Sequence, residues 1–161
     1  MAEVVIKSKK YGNKVALIDD GDFERFSITS VYLLYCRCID GFYVRVSGGI
    51  NRGKLLHRLI VNAPNGAQVD HVNRDTLDNR KDNLRICSQS DNLRNQPMRE
   101  RNLSGFKGVD FCSKTKKFRV QIQVDGRKVH GGYFGDIRAA AIKYNELSSI
   151  YHGEFGYQNK V

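Results

Sequence analysis

The chain has 161 residues, enough for one ordinary domain or two small ones, and it carries 27 lysine and arginine residues against 17 acidic ones. It contains no long apolar run, so it predicts neither a signal peptide nor a transmembrane segment, and we expect a soluble, intracellular protein without a membrane partner. The four cysteines form no CxxC pair, which argues against both a disulfide scaffold and a structural zinc site.

The formal net charge of +10 is unevenly distributed along the chain. Basic and acidic side chains are nearly balanced over residues 1–50, whereas basic ones clearly exceed acidic ones over residues 98–138. A local basic excess is typical of polyanion binders, because each lysine or arginine that meets a phosphate releases condensed counterions. Nucleic acid is therefore the leading candidate partner. A basic surface that serves only solubility is the alternative.

The first 50 residues predict short strands joined by turns. Apolar runs such as residues 14–18 and 42–46 are broken by clusters of aspartate, glycine and serine. No pattern of catalytic side chains occurs among them. We therefore predict a strand-rich N-terminal module over residues 1–50 that packs against the next part of the chain.

The segment between residues 69 and 92 combines carboxylate, imidazole and amide side chains with interspersed arginines. Its pattern predicts a strand over 69–72, a polar loop over 75–83, a second strand over 84–87 and a helix that begins near Ser88. Such a frame can bring a strand residue and a helix residue to one metal ion.

Hydrolysis of a phosphodiester needs an activated water and compensation for the negative charge of the transition state. Asp70 and Asn92 are the natural oxygen donors for a hard divalent cation, and His71 can accept a proton near neutral pH. Neighbours on a regular strand point to opposite faces, so Asp70 and His71 can share a site only near a strand end. A lone strand histidine is more often structural, but its combination with these donors favours a catalytic role.

Four short motifs lie in order between residues 54 and 96, namely Leu56-His57-Arg58-Leu59-Ile60, Asp70-His71, Asn83-Leu84-Arg85 and Asn92. Together they resemble the HNH nuclease family, whose core is a ββα-metal fold, and in particular the phage-encoded HNH homing endonucleases. The resemblance implies a nuclease core over residues 51–97 that uses Mg²⁺ or Mn²⁺.

By this resemblance His71 activates the water, Asn83 holds the loop that orients His71, and Asp70 and Asn92 bind the metal. The family name expects histidine where this chain has Asn92. Asparagine is a known variation in the homing group and a weaker ligand, so phosphate oxygens of DNA would help to complete the site.

Several basic side chains of this core are candidate contacts to DNA phosphates, although arginines in a polar loop are often only solvated. They are Arg58, Arg80, Lys81 and Arg85. His57 lies on an apolar segment and could equally pack in the core or approach DNA.

A second domain is predicted over residues 104–161, after a linker at 98–103 with few apolar side chains. Residues 117–124 alternate polar and apolar side chains, and the two-residue turn Asp125-Gly126 follows them. The pattern predicts two further strands, over 106–111 and 128–134. Helical spacing then runs from Asp136 as N-cap to Gly153, so we predict three strands and one packed helix.

The strand over 117–124 places one set of polar side chains on the face that the helix does not cover, namely Lys117, Arg119, Gln121 and Gln123. Their long reach and hydrogen-bonding heads suit phosphates and base edges in a major groove. An ordinary solvated sheet face is the alternative, because antiparallel sheets commonly expose one polar side.

This strand is flanked by the motifs Gly105-Phe106-Lys107-Gly108-Val109, Gly132-Tyr133-Phe134 and Ala139-Ala140-Ala141-Ile142-Lys143-Tyr144-Asn145. With it, residues 104–159 resemble an AP2-type DNA-binding domain, a family that lays a three-stranded sheet into the DNA major groove and backs it with one helix. The resemblance implies DNA contacts from Lys107, Lys116, Arg119, Gln121, Gln123 and Arg127, and His130 is a further candidate. The chain has no tryptophan, so a sequence preference does not carry over.

These features predict an α+β protein, with a ββα-metal HNH core behind a strand-rich N-terminal part and then a three-stranded antiparallel sheet with one helix. The predicted function is a metal-dependent endonuclease that nicks or cleaves double-stranded DNA, a phage or mobile-element homing enzyme in the cytoplasm of a bacterial or phage-infected host cell. A monomer is favoured.

The alternative is a catalytically inactive, sequence-specific DNA-binding regulator. The presence of Asp70, His71, Asn83 and Asn92 together favours the enzyme, since a relic would be expected to have lost one of them. An RNA-binding role is weaker, because the polar sheet face lacks paired exposed aromatics that stack single-stranded bases.

Overall fold

The computed structural model of the chain describes residues 1–26, 30–37, 39–98 and 102–161, so part of the predicted linker, residues 99–101, lies outside the described residues. The chain divides into two compact units, Met1–Gln89 and Ser90–Val161. Each unit combines helices with antiparallel strands, so the mixed α and β composition predicted from the sequence is confirmed. The finer division into an N-terminal module, a core, a linker and a C-terminal domain stays a prediction.

The first unit begins with two hairpins. Strand β1 (Ala2–Ile6) pairs with β2 (Lys14–Ile18), helix α1 (Asp20–Phe26) follows, and β3 (Val31–Cys36) pairs with β4 (Gly41–Val46). The strands predicted over residues 14–18 and 42–46 are thus confirmed. Alternate side chains of these strands are buried, as expected for sheets with one face toward a core. The core of the unit is formed by Ile6, Ala16, Ile18, Phe26, Leu33, Val44, Leu56, Ile60, Val69 and Leu84.

The end of the first unit follows the predicted order of strand, loop, strand and helix. Helix α2 (Leu56–Ile60) precedes β5 (Gln68–His71), which pairs with β6 (Leu84–Cys87) in an unbroken antiparallel register. The loop from Val72 to Asn83 is anchored to β2, because Leu17 donates to the carbonyl of Leu77 and receives a bond from the amide of Asn79. Helix α3 (Gln89–Asn95) comes next and continues into the second unit.

The second unit contains one three-stranded antiparallel sheet, in the order β7 (Val109–Cys112), β8 (Lys117–Val124) and β9 (Arg127–Phe134). Strand β7 begins three residues later than predicted. The reason is Gly108, whose φ of 73° lies in the left-handed region and whose missing side chain leaves room for the ring of Tyr144. The segment before Val109 is therefore a loop.

Helix α4 (Ile137–His152) packs on this sheet, as the periodicity predicts. Its N-cap is Asp136, whose carboxylate accepts a hydrogen bond from the amide of Ala139 at 3.0 Å, and Gly153 ends it with a φ of 53°. The core of this unit consists of Val109, Val120, Ile122, Ala140, Ala141, Tyr144 and Leu147. The other face of the sheet carries the alternate, mostly polar side chains of β8.

Among the residues that the structure describes, no helix combines the length and the apolar character needed to cross a bilayer.

Candidate functional site

His71 is the last residue of β5, where the ladder with β6 gives way to the polar loop. The position satisfies the condition that Asp70 and His71 can share a site only near a strand end. The imidazole is 5% exposed and lies in a cluster of rings. Its centroid is 5.0 Å from that of His57, which meets it edge to face, and 6.2 Å from that of Tyr43.

Burial lowers the pKa of His71 from its ordinary value. The side chain of Asn79 and the carboxylates of Asp70, Asp75 and Asp78 act in the opposite direction. Burial prevails, so the imidazole stays neutral near physiological pH. A neutral imidazole is the form that can accept a proton from water.

Asn83 fastens both ends of the polar loop that begins after His71. Its main-chain carbonyl oxygen accepts a hydrogen bond from the backbone amide of Val72 at 2.9 Å. Its side-chain oxygen, Oδ1, accepts a hydrogen bond from the backbone amide of Asn73 at 2.9 Å. Its side-chain nitrogen donates to the carbonyl of Asp78 at 2.7 Å. The side chain is 7% exposed, so water competes little for these bonds. The backbone after His71 is thereby held in one conformation.

Asp78 is a second anchor of this loop, and its role was not predicted from the sequence. Its buried carboxylate accepts bonds from Arg80 Nε at 2.8 Å, Arg80 Nη2 at 2.6 Å and Asn73 Nδ2 at 2.9 Å. The hydrogen bonds from Arg80 hold the pKa of Asp78 below its ordinary value. The spacing Asp78-Asn79-Arg80 was the available signal, because a guanidinium two residues away can return to a carboxylate within one loop.

Asp70 faces Arg85 directly across the β5–β6 ladder. Its Oδ2 atom accepts bonds from both Nε, at 2.9 Å, and Nη2, at 2.6 Å, of that arginine. Both side chains are largely buried, with 7% of Asp70 and 14% of Arg85 exposed. The predicted metal ligand and a predicted phosphate contact are therefore partners of each other.

The described residues contain no group of three or more His, Cys, Asp or Glu side chains that could hold a metal ion. Asp70 is the carboxylate next to His71 in the sequence. Its Oδ2 atom forms an ion pair with the guanidinium of Arg85, so it binds a positively charged group in this structure. The chemistry of Asp70 therefore fits a hard divalent ion as one acidic ligand. Asn92, the other predicted ligand, is half-buried on α3 in the second unit.

The predicted DNA contacts of the first unit are engaged within the protein. Arg58 donates to the carbonyls of Ala67 at 2.5 Å and Pro64 at 2.9 Å, so it holds the turn before β5. His57 is 4% exposed and packs against Tyr43 and His71, which favours the packing alternative over contact with DNA. Burial, together with the nearby charges of His71 and Arg58, lowers the pKa of His57 to about 3.

In the second unit, the uncovered sheet face carries most of the predicted DNA contacts. Lys117, Arg119, Gln121 and Gln123 lie along β8, and the register places Tyr133, His130 and Lys128 of β9 beside the last three of them. On the other side, Asp110 of β7 pairs with Arg119, whose Nη2 lies 2.7 Å from Oδ2. The rings of His130 and Tyr133 are 4.8 Å apart.

Two further predicted contacts, Lys116 and Arg127, are exposed at the ends of strands β8 and β9. Lys107 has a different position. Its ammonium donates to the carbonyls of Arg94 at 2.7 Å and Gln96 at 2.5 Å, so it holds the carboxyl end of α3, and its predicted contact with DNA stays a prediction.

Besides Asp78, three further neighbours of the predicted site residues were not identified from the sequence. Tyr43 comes from a segment predicted only to pack, and no local pattern links it to His71, 28 positions later. Asp110 and Tyr133 flank Arg119 through strand register, which the alternation of a single strand cannot give.

Comparison with known proteins finds sequence similarity to a nuclease family, mostly within the first unit. Residues 54–94 match the family model described as HNH endonuclease. The chain is also 28% identical over 92 residues to Protein 3.8 of Escherichia phage T7, a span of 57% of this chain and 75% of that protein. No solved structure matches the chain. The family match covers His57, Asp70, His71, Asn83 and Asn92, whereas the three-stranded sheet lies outside it.

Proposed function

We propose that the protein is a metal-dependent endonuclease that hydrolyses phosphodiester bonds of double-stranded DNA, as a homing enzyme of a phage or mobile element. The observation that carries this proposal is the setting of His71. Its buried, neutral imidazole stands at the end of β5, the next loop is fixed by Asn83, and both residues lie within the segment that matches an HNH endonuclease.

In the proposed reaction, a nitrogen of His71 accepts a proton from the attacking water, whose oxygen forms the new bond to phosphorus. The bond from phosphorus to the leaving sugar oxygen breaks, and that oxygen takes up a proton from solvent water. Asn83 keeps the backbone beside His71 in place, so that the imidazole does not have to be ordered during the reaction. Asp70 and Asn92 would hold a divalent ion, Mg²⁺ or Mn²⁺, which when bound supplies compensation for negative charge on the phosphate.

The uncovered face of β7, β8 and β9 is the proposed DNA-binding surface, in the manner of an AP2-type domain. Support comes from its composition: a lysine and an arginine for phosphates, and two glutamines that can reach base edges. Binding through this face would give affinity and position, while the first unit would cut.

The proposal is tested by incubating supercoiled plasmid with the full-length protein in Mg²⁺ or Mn²⁺ and separately in EDTA. We expect nicking or linearisation with the metal, none in EDTA, and a loss of at least about a hundredfold in rate for His71→Ala, the range that general-base catalysis supplies. The matched control is His152→Gln, a histidine of the second unit with no assigned role, which should cut normally. Nicking that persists in EDTA or in His71→Ala would contradict the mechanism.

A catalytically inactive DNA-binding regulator is the second candidate, and the engagement of Asp70 by Arg85 is the observation that favours it. Such a protein would bind DNA through the sheet face without cutting. Wild-type protein that binds duplex DNA but leaves plasmid intact in both Mg²⁺ and Mn²⁺ would support this alternative.

A further inference from the structure

The ion pair between Asp70 and Arg85 has the geometry of an occupied cation site. Two donors of one guanidinium converge on a single oxygen, Oδ2, at 2.6 and 2.9 Å. The backbones of the two residues face each other in the register of β5 and β6, so the two side chains start from positions directly opposite one another. An arginine side chain has several rotatable bonds, so its guanidinium can move to another position while the backbone stays in place.

A buried carboxylate is costly without a positive partner, because it has lost most of its hydration. Arg85 supplies that partner in the protein alone. A divalent cation at the same oxygen would supply it too, but the two positive groups would then repel each other at short range. Cation and guanidinium therefore compete for Oδ2 of Asp70.

We propose that Arg85 is a built-in competitor for the divalent metal: it holds Asp70 while the site is without metal, and metal binding releases its guanidinium toward a DNA phosphate. The inference rests on the proposed function, since it takes Asp70 as a metal ligand. Asp70 is the predicted metal ligand and Arg85 a predicted phosphate contact, and the structure pairs them with each other. The proposed release of Arg85 allows both predicted roles. It also couples the partners, because metal at Asp70 frees a positive charge for DNA and DNA that engages Arg85 vacates Asp70.

The ion pair between Arg80 and Asp78, in which the carboxylate is buried and the arginine partly exposed, does not have this property. Arg80 and Asp78 are two residues apart in one loop, and the Asp78 carboxylate also accepts from Asn73. That carboxylate is used to hold the loop that Asn83 fastens, so releasing it would disorder the segment after His71. Asp70 and Arg85 belong to different strands, and the ladder itself keeps them in register when the ion pair opens.

The test measures binding of Mn²⁺ alone to the full-length protein by isothermal titration calorimetry, with no DNA present. We expect Arg85→Gln to bind Mn²⁺ about tenfold more tightly than the wild type, a typical coupling between two sites. Arg85→Lys, which keeps the charge without the planar fork, should fall between them. The matched control is Arg52→Gln, which removes the same charge from an exposed position of the same unit and should change the affinity little.

A second measurement keeps the test independent of enzyme activity and of the folding of one variant. Without metal, Arg85→Gln should unfold at a lower temperature than the wild type, because Asp70 loses the positive charge of the guanidinium; with saturating Mn²⁺ the difference in unfolding temperature should narrow. The double variant Asp70→Asn with Arg85→Gln should bind no Mn²⁺ and regain stability, since the buried charge is gone.

The outcomes separate the two proposals. If the wild type binds Mn²⁺ through Asp70 and Arg85→Gln and Arg85→Lys bind it no more tightly, Arg85 is not a competitor, and this inference is overturned while the metal-dependent nuclease stands. If neither the wild type nor the Arg85 variants bind Mn²⁺, both the inference and the metal site of the proposed function are overturned.

Discussion

At the scale of single residues, the contact between His57 and His71 constrains the charge of the site. Two imidazoles with centroids 5.0 Å apart, each about 5% exposed or less, cannot both carry a proton without strong repulsion. Tyr43 closes the cluster with its ring 5.4 Å from that of His57. Packing of three rings thus holds the proposed base both in place and in its neutral form.

This cluster makes the stability of the first unit depend on pH. Burial lowers the pKa of His57 from 6.5 to about 3, so between these values the unfolded chain binds a proton that the folded unit does not. Stability therefore falls as pH drops through this window, by at most about 1.4 kcal/mol per pH unit for one group. His71, whose pKa is also lowered, adds to the slope with the same sign.

We expect His57→Phe, which keeps a ring beside His71 but cannot be protonated, to flatten this dependence. Urea unfolding of the wild type and variant between pH 4.5 and 7.5 measures the free energy of unfolding at each pH. The NMR signals of the aromatic rings in the first unit report the unfolding of that unit. The control His130→Gln changes an exposed histidine of the second unit and should leave the slope as it is. Equal slopes for wild type and His57→Phe would show that His57 carries no such penalty.

At the scale of elements, the close packing of helix α4 on the sheet requires glycine at position 108. A side-chain carbon at Gly108 would overlap the ring of Tyr144 and lie 2.7 Å from the carbonyl oxygen of Gln121. Tyr144 belongs to the core of the second unit and the carbonyl oxygen belongs to strand β8, so both have little freedom to move. The φ of 73° at the same residue adds backbone strain for any other amino acid.

We expect Gly108→Ala to destabilise the second unit by more than about 2 kcal/mol, the combined range for overpacking and for alanine at positive φ. Gly105→Ala is the matched control, because Gly105 has a φ of 77° but open space around it, and backbone strain alone should cost about 1 kcal/mol. Denaturant unfolding measures both free energies. Equal losses would mean that strain, and not the contact with Tyr144, determines the requirement for glycine.

The elements that the sequence predicts well are those with a local signal. Strand β8 and helix α4 end within a residue of their predicted limits, because strict alternation and a 3.6-residue period are properties of neighbouring residues. The predicted start of β7 was wrong, since it depends on a contact between Gly108 and a helix residue 36 positions later. Local patterns do not contain that information.

The candidate site shows the same division. The residue types around Asp70 and His71 predict phosphodiester chemistry. Which side chains pair with each other depends on strand register and on burial. The pairing of Asp70 with Arg85 requires the alignment of two strands, and the burial of His57 requires the fold of the whole unit. The resemblance predicts that Lys107 contacts DNA. In the structure its ammonium donates hydrogen bonds to carbonyls at the end of helix α3, and no sequence motif predicts these bonds.

At the scale of the whole molecule, the two units divide the proposed work. The first contains His71, Asp70 and the anchored loop, and the second contains the uncovered sheet face around Arg119. Each has its own hydrophobic core. Substitutions on the sheet face should therefore change DNA affinity and leave the chemical step intact once the DNA is bound.

We expect Arg119→Ala to weaken DNA binding and to lower the salt slope by about one, the change for the loss of one phosphate contact. Asp110→Asn should act in the opposite direction: it removes a negative charge from the face and releases Arg119 from its ion pair at 2.7 Å. Arg138→Ala is the matched control, since Arg138 is exposed on α4, which packs on the other face of the sheet, and its loss changes the net charge equally.

Fluorescence anisotropy with a labelled duplex over a series of KCl concentrations gives both the DNA affinity and its salt slope. Single-turnover cleavage at saturating DNA should then be equal for the wild type and Arg119→Ala. If Arg119→Ala and Arg138→Ala weaken binding to the same extent, the effect is one of net charge, and the uncovered face is not the DNA-binding surface.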